Sequence, residues 1–253
     1  MNLLIDLGNT RLKWAILQDG GLITGQALVN QQITRHELVE TWKMPTPPEC
    51  LAIACVSRAP LLELVLSVAV ELWPTIEIIP VKSQAHAFGV HNAYQQPEKL
   101  GVDRWLALVA VRKHYQLPAC IVDCGTAITV DLIDADGKHQ GGLISPGLTL
   151  MKKSLATGTE ALQYHETNYV WGPANFTEAA IYSGTLSAVV GMIEHVLTKQ
   201  LNAMQLILTG GDAEIIATQL AIKPIIDTDL VLCGLAIVLE GQPKNPVFPG
   251  GNC

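Results

Sequence analysis

The chain has 253 residues, of which 49% are hydrophobic and 15% charged, and its formal net charge is −7. That is the composition of a packed globular protein and excludes a disordered chain. The acidic balance, with no Lys/Arg cluster, excludes tight binding to a nucleic-acid backbone.

Along the chain, the opening Met1-Asn2-Leu3-Leu4-Ile5-Asp6 lacks the basic flank and long apolar core of a secretion signal. The apolar run at residues 61–72 is too short for a bilayer and is interrupted by Glu63, Ser67 and Glu71. A cytoplasmic protein with no membrane partner is expected. Strands are expected at residues 3–6, 13–17, 51–56 and 76–80, with a helix at 59–72. A helix follows at 102–114, then strands at 120–123 and 129–133. Helices at 177–201 and 213–220, strands at 205–208 and 225–226, and a helix from about 230 to 240 complete the order. Residues 243–253, with three prolines and Gly250-Gly251, read as a flexible end. The six cysteines form no Cys-x-x-Cys pair and read as reduced thiols; the seven histidines show no metal-binding spacing.

One unit is written twice. Leu4-Ile5-Asp6-Leu7-Gly8-Asn9-Thr10 leads into Lys13-Trp14-Ala15-Ile16-Leu17, and Ile121-Val122-Asp123-Cys124-Gly125-Thr126-Ala127 leads into Thr129-Val130-Asp131-Leu132-Ile133. Each copy is an apolar strand ending in Asp, a turn with glycine and a hydroxyl, and a second strand. Two copies near the starts of two halves point to tandem duplication, with halves at 1–116 and 117–253. A glycine in such a turn lets the backbone approach a phosphate. Asn9 and Thr10 add donors, Lys13 adds a cation, and Asp6 suits Mg²⁺ held through water. By symmetry Asp123 would be a second Mg²⁺ group, with Gly125 and Thr126 facing the first turn. The chain contains neither GxxxxGK[ST] nor GxGxxG, so the nucleotide loop is of another kind. Asp103 opens a helix, where an acidic residue serves as a cap or as a proton acceptor. Arg104 beside it offers a fork for a carboxylate or forms a salt bridge.

Several strings resemble those of type III pantothenate kinase, within the actin, sugar-kinase and Hsp70 superfamily. They are residues 6–13 (Asp6 to Lys13, including Arg11 and Leu12), Gly101-Val102-Asp103-Arg104, 123–127, 141–147, Asn175-Phe176-Thr177-Glu178-Ala179 and Thr209-Gly210-Gly211-Asp212. They run in order across nearly the whole chain. The resemblance implies an α/β fold of duplicated ribonuclease H-like, actin-like domains with mixed central sheets flanked by helices. It implies transfer of phosphate from ATP to pantothenate, the first step of coenzyme A synthesis. Asp6, Leu7, Gly8, Asn9, Thr10, Arg11, Leu12, Lys13 and Thr126 would hold ATP with Mg²⁺. Tyr94, Gly101, Val102, Asp103, Arg104 and Thr177 would hold pantothenate, with Asp103 as proton acceptor. Asp123 would bind K⁺ or NH₄⁺, and the chain would pair as a homodimer. Some members of the family are known as accessory factors affecting transcription, so a regulatory binding protein is the alternative, beside a kinase of another small alcohol.

Overall fold

The structure, a computed structural model, describes residues 1–159, 162 and 167–241; the expected tail at 243–253 lies outside them. Strand β1 (Asn2–Leu7) is apolar almost throughout because it is a central strand, covered on both faces. It pairs antiparallel with β2 (Arg11–Gln18), which pairs with β3 (Gly21–Thr24) and β4 (Leu28–Val29). Helix α1 (Arg35–Thr41) follows; its N-cap Thr34 accepts the Glu37 N–H at 3.2 Å. Strand β5 (Cys50–Cys55), helix α2 (Ala59–Leu72) and strand β6 (Glu77–Pro80) complete a sheet ordered β3-β2-β1-β5-β6, with β5 and β6 parallel to β1.

A small hairpin, β7 (His86–Ala87) and β8 (Val90–His91), and a short 3₁₀ turn at Pro97–Lys99 lead to α3 (Val102–His114). The second half then repeats the plan. Strands β9 (Ala119–Cys124), β10 (Ala127–Ile133) and β11 (His139–Pro146) run antiparallel; helices α4 (Leu148–Gly158) and α5 (Thr177–Thr198) follow. Strand β12 (Gln205–Thr209), helix α6 (Ala213–Ala217), strand β13 (Ile225–Ile226) and helix α7 (Leu230–Glu240) end it. The sheet order is β11-β10-β9-β12-β13, strand for strand the order of the first sheet, with the same two antiparallel and two parallel pairings. The duplication read from two short strings therefore extends through ten strands.

The layers alternate. One face of the first sheet (Leu3, Ile5, Leu7) packs with α1 and α2 around Leu38, Trp42 and Val65. Its other face (Leu4, Ala15, Ala52) meets α3 and α7, which pack on each other and on Ile121 and Ile207 of the second sheet. The outer face of the second sheet (Cys120, Val122, Val130) is covered by α5 and α6. Helix α5 has the length and mean hydropathy of a membrane span, 1.3 over its best window; its Ala179, Tyr182, Leu186, Val189 and Ile193 are buried in this core.

Some elements differ from the expectation. Helix α6 stops at Ala217, where a helix to 220 is expected, and α5 at Thr198 instead of 201. Strands β3, β4, β7, β8 and β11 and helices α1 and α4 are additional. Strand β11 contains Gly141, Gly142 and a terminal Pro146, residues that weaken a strand; it survives as an edge, held on one side by β10.

Candidate active site

Two hairpin tips meet in the cleft between the sheets. In the first, Gly8 N–H donates to the Arg11 carbonyl at 3.1 Å; in the second, Gly125 N–H donates to the Ala127 carbonyl at 3.2 Å. Thr10 Oγ1 and Thr126 Oγ1 lie 2.6 Å apart, so the two halves touch hydroxyl to hydroxyl. Asn30 holds the first tip from behind: its Nδ2 donates to the Gly8 carbonyl at 2.8 Å and its N–H to the Thr10 carbonyl at 2.9 Å. Asn9, Thr10 and Thr126 are exposed to the cleft. Leu7 and Leu12 are fully buried and bring only their backbone to the site.

Beside the tips lies a cleft of about 240 Å³ lined by Arg11, Lys13, Trp14, Gly25, Gly210 and Thr228 among others. Lys13 Nζ crosses it to the Thr228 carbonyl at 3.0 Å, tying β2 to the start of α7. Gly210, after β12, has φ +91°, and a Cβ there would stand 2.5 Å from Asp123 Oδ1. Only glycine allows that turn to press on the carboxylate.

Three carboxyls face one another electrostatically. Asp6 is buried at the end of β1, opposite Lys13 in register. Burial pushes its pKa up to about 7, Lys13 opposes this, and Asp103 and Asp123 add to it. Asp123, near the end of β9, is pushed up to about 6, first by burial and then by Asp103, against Lys13. Asp103 is also raised by burial, against the Arg104 N–H that its Oδ1 accepts at 2.8 Å. The cap position of α3 is Gly101, so Asp103 is a first-turn residue and not the cap. A raised carboxyl is a stronger base than a free one.

These residues fit a cation. Their mutual repulsion is excess negative charge, and Thr209, in register with Asp123, is buried with its hydroxyl unpartnered. Among the described residues no group of three or more His, Cys, Asp or Glu forms a metal cluster. Waters or phosphate oxygens would have to complete any shell, as Mg²⁺ prefers.

Arg104 is buried, and its first partner is Asp131: Nε donates to Oδ2 at 2.8 Å and Nη2 to Oδ1 at 2.6 Å. Burial works against its charge, and the bonds to Asp131 outweigh it. Its Nη1 donates to the Tyr94 hydroxyl at 2.7 Å, which brings two of the expected substrate residues together. The salt bridge that stood as the alternative for Arg104 is present, and it is buried. Val102 is buried in the core. Thr177 is exposed in the first turn of α5 and is not its cap; that place belongs to Phe176, with no side-chain cap bond. Asp131 and His139 were not foreseen as part of the site. The signal was present: a charged residue inside the apolar run Thr129-Val130-Asp131-Leu132 needs a buried partner.

The family model described as type III pantothenate kinase matches residues 2–199. The chain is 38% identical to the type III pantothenate kinase of Nitrosococcus oceani, covering 96% of each chain. It is 37% identical to that of Laribacter hongkongensis, covering 93% of this chain and 97% of the relative. Among solved structures it is similar to one described as a Baf family transcriptional activator from Campylobacter jejuni. The TM-score is 0.61 at 20% identity, over 94% and 97% of the two chains. A 2-dehydro-3-deoxygalactonokinase protein from Sinorhizobium meliloti gives a TM-score of 0.58 at 13% identity, over 98% and 100%. The fold is therefore the one the repeated hairpins imply, and the chain belongs to the type III pantothenate kinase family.

Proposed function

We propose that this protein transfers the γ-phosphoryl group of ATP to the hydroxyl of pantothenate, giving 4′-phosphopantothenate and ADP, the entry step to coenzyme A. The observation that carries the reading is the 2.6 Å contact between Thr10 and Thr126, which puts two phosphate-sized turns on either side of one cleft. Backbone amides at Gly8–Leu12, with Thr10, Lys13 and Thr126, cradle the phosphates; the adenosine lies along Gly210-Gly211 in the adjoining cleft. Asp103 accepts the proton of the attacking hydroxyl. Tyr94, Gly101, Arg104 and Thr177 hold the substrate.

Asp6 holds Mg²⁺ through water and Asp123 holds K⁺ or NH₄⁺; when bound, such ions offset the negative charge of the phosphates. The halves 1–116 and 117–253 are the two lobes of the clamp. A homodimer is supported by the exposure of Ile144 (65%), Val170 (93%), Trp171 (51%) and Phe176 (49%), apolar groups of a size a monomer seldom leaves in water. The net charge of −7 and the carboxyls in the cleft disfavour nucleic acid as a partner. The alternative of a regulatory binding protein gains nothing from the Campylobacter jejuni likeness, which at 20% identity bears on fold alone.

ADP release measured with and without pantothenate tests the reading. Release that depends on pantothenate is expected. Equal release in its absence, or with any small alcohol in its place, would refute it.

A further inference from the structure

Behind Tyr94 and Arg104 stands a chain of four side chains whose donor directions are fixed by chemistry. Arginine has no acceptor, so Arg104 must be the donor in both of its contacts. Asp131 receives Nε and Nη2, and the Tyr94 oxygen receives Nη1. Because the Tyr94 oxygen is already accepting, its own proton is free to point away from Arg104.

His139 closes the other end. Its side chain is wholly buried, and its Nε2 lies 2.8 Å from Asp131 Oδ1. On the other edge of the ring, Nδ1 accepts the Ala93 N–H at 3.5 Å. An Nδ1 that accepts carries no proton, so the ring proton sits on Nε2 and is donated to Asp131. One imidazole thus clips the loop carrying Tyr94 to the strand carrying Asp131, and the Tyr94 and His139 rings lie nearly parallel at 6.2 Å. Asn92 Oδ1 fixes the same loop by accepting the Tyr94 N–H at 3.0 Å. Gly142 leaves room for the arrangement: a Cβ there would stand 2.4 Å from Arg104 Nη2 and 2.5 Å from Asp131 Oδ1.

We propose that His139 and Asp131 are positioning residues for substrate binding: they fix the Arg104 guanidinium, which in turn aims the Tyr94 hydroxyl proton at an acceptor oxygen of the substrate. The assignment rests on the reading that Tyr94 and Arg104 face pantothenate. It explains why the guanidinium is not spent as a free charge. Asp131 neutralises it, and it acts as a rigid scaffold that directs a neutral donor. Neither His139 nor Asp131 touches the reacting atoms, so their loss acts on recognition and leaves the phosphoryl step intact.

The test is steady-state kinetics of the full-length protein on both substrates. His139→Ala is expected to raise KM for pantothenate about tenfold, the order of one lost hydrogen bond to a charged group. KM for ATP is expected to be unchanged and kcat to stay within about twofold. His139→Gln keeps a donor for Asp131 and is expected to recover most of the loss. If His139→Ala leaves KM for pantothenate unchanged, or raises both KM values together with no recovery in the glutamine variant, the positioning role is overturned. Tyr94→Phe separates the two levels. If it raises KM for pantothenate and His139→Ala does not, only the positioning role falls. If it has no effect, the substrate reading falls and the proposal with it. Nitrogen-15 NMR of the unmodified protein adds a check that needs no variant: His139 protonated on Nε2 is expected, and a proton on Nδ1 would overturn the positioning role.

Discussion

Gly234 of α7 lies so close to Leu106 of α3 that a Cβ on it would stand 2.2 Å from the Leu106 carbonyl oxygen. The two central helices therefore touch backbone to backbone, one turn along α3 from Asp103. Gly234→Ala forces them apart. Overpacking of this kind costs about 1–3 kcal/mol, which for a chain of this size lowers Tm by roughly 2–10 °C. We expect calorimetry to find that drop together with a fall in kcat, since α3 carries Asp103, the proposed proton acceptor. A variant with wild-type Tm would mean that the helices have slack.

Asp103→Asn keeps the shape of the side chain and removes the proposed base. We expect kcat to fall by about 10²–10⁴ with KM for ATP little changed. Turnover near the wild-type rate would reduce Asp103 to a residue of the first helical turn with no part in the chemistry.

Asp6 makes a prediction about pH. Its pKa stands at about 7 in the folded chain, chiefly through burial, against about 3.9 for an unfolded Asp. Between these values the native state keeps a proton that the unfolded chain has lost. The stability contributed by this group is therefore complete below about pH 4 and is lost as pH rises through 7. Asp123, raised to about 6, acts in the same direction. The ligand-free protein should lose Tm between about pH 4 and pH 7. Asp6→Asn should remove part of that slope and raise Tm at pH 8 by about 2 °C or more, while losing most activity. Parallel curves for the two proteins would contradict the linkage.

The ion proposed at Asp123 is tested by exchange. With Mg²⁺ constant, turnover is expected to rise with KCl or NH₄Cl and to stay low in NaCl at equal ionic strength. Asp123→Ala should lose most activity, and added K⁺ should not restore it. Equal rates in Na⁺ and K⁺ would return Asp123 to a divalent role.

Pairing of two chains should be visible by light scattering as roughly twice 27.3 kDa. Trp171→Asp, at an exposed apolar position, should shift the protein toward monomer and cut activity with it. A monomer with full activity would separate the surface from the site.

How much of this could be read beforehand follows from where each signal lies. Both hairpins were legible because Asp6 and Asp123 end uninterrupted apolar strands followed by glycine turns, so the pattern is local. Helix α1 carried a readable mark as well, the Thr34-Arg35-His36-Glu37 cap, but its short amphipathic run is weak without it. The edge strand β11 has the wrong residues for a strand and exists only because β10 supplies its partner. His139 is the hardest case. Its role depends on Ala93, 46 residues away, and on Asp131 across a β-bulge, and no spacing rule connects them. Arg104 stood in a recognisable string, but that its guanidinium is satisfied by Asp131 is a fact of tertiary packing alone.

The placement of α7 has a consequence for synthesis. Leu230–Glu240 is translated long after the strands of the first sheet, yet it covers Leu4, Ala15 and Ala52 of that sheet. While the remainder of the chain is still being made, that sheet emerges from the ribosome with part of its inner face bare. The first half cannot finish folding as an autonomous unit, and a nascent chain stalled before residue 230 would present an apolar surface to chaperones. Arrested chains of increasing length should therefore gain protease resistance in the N-terminal half only once α7 has cleared the exit tunnel.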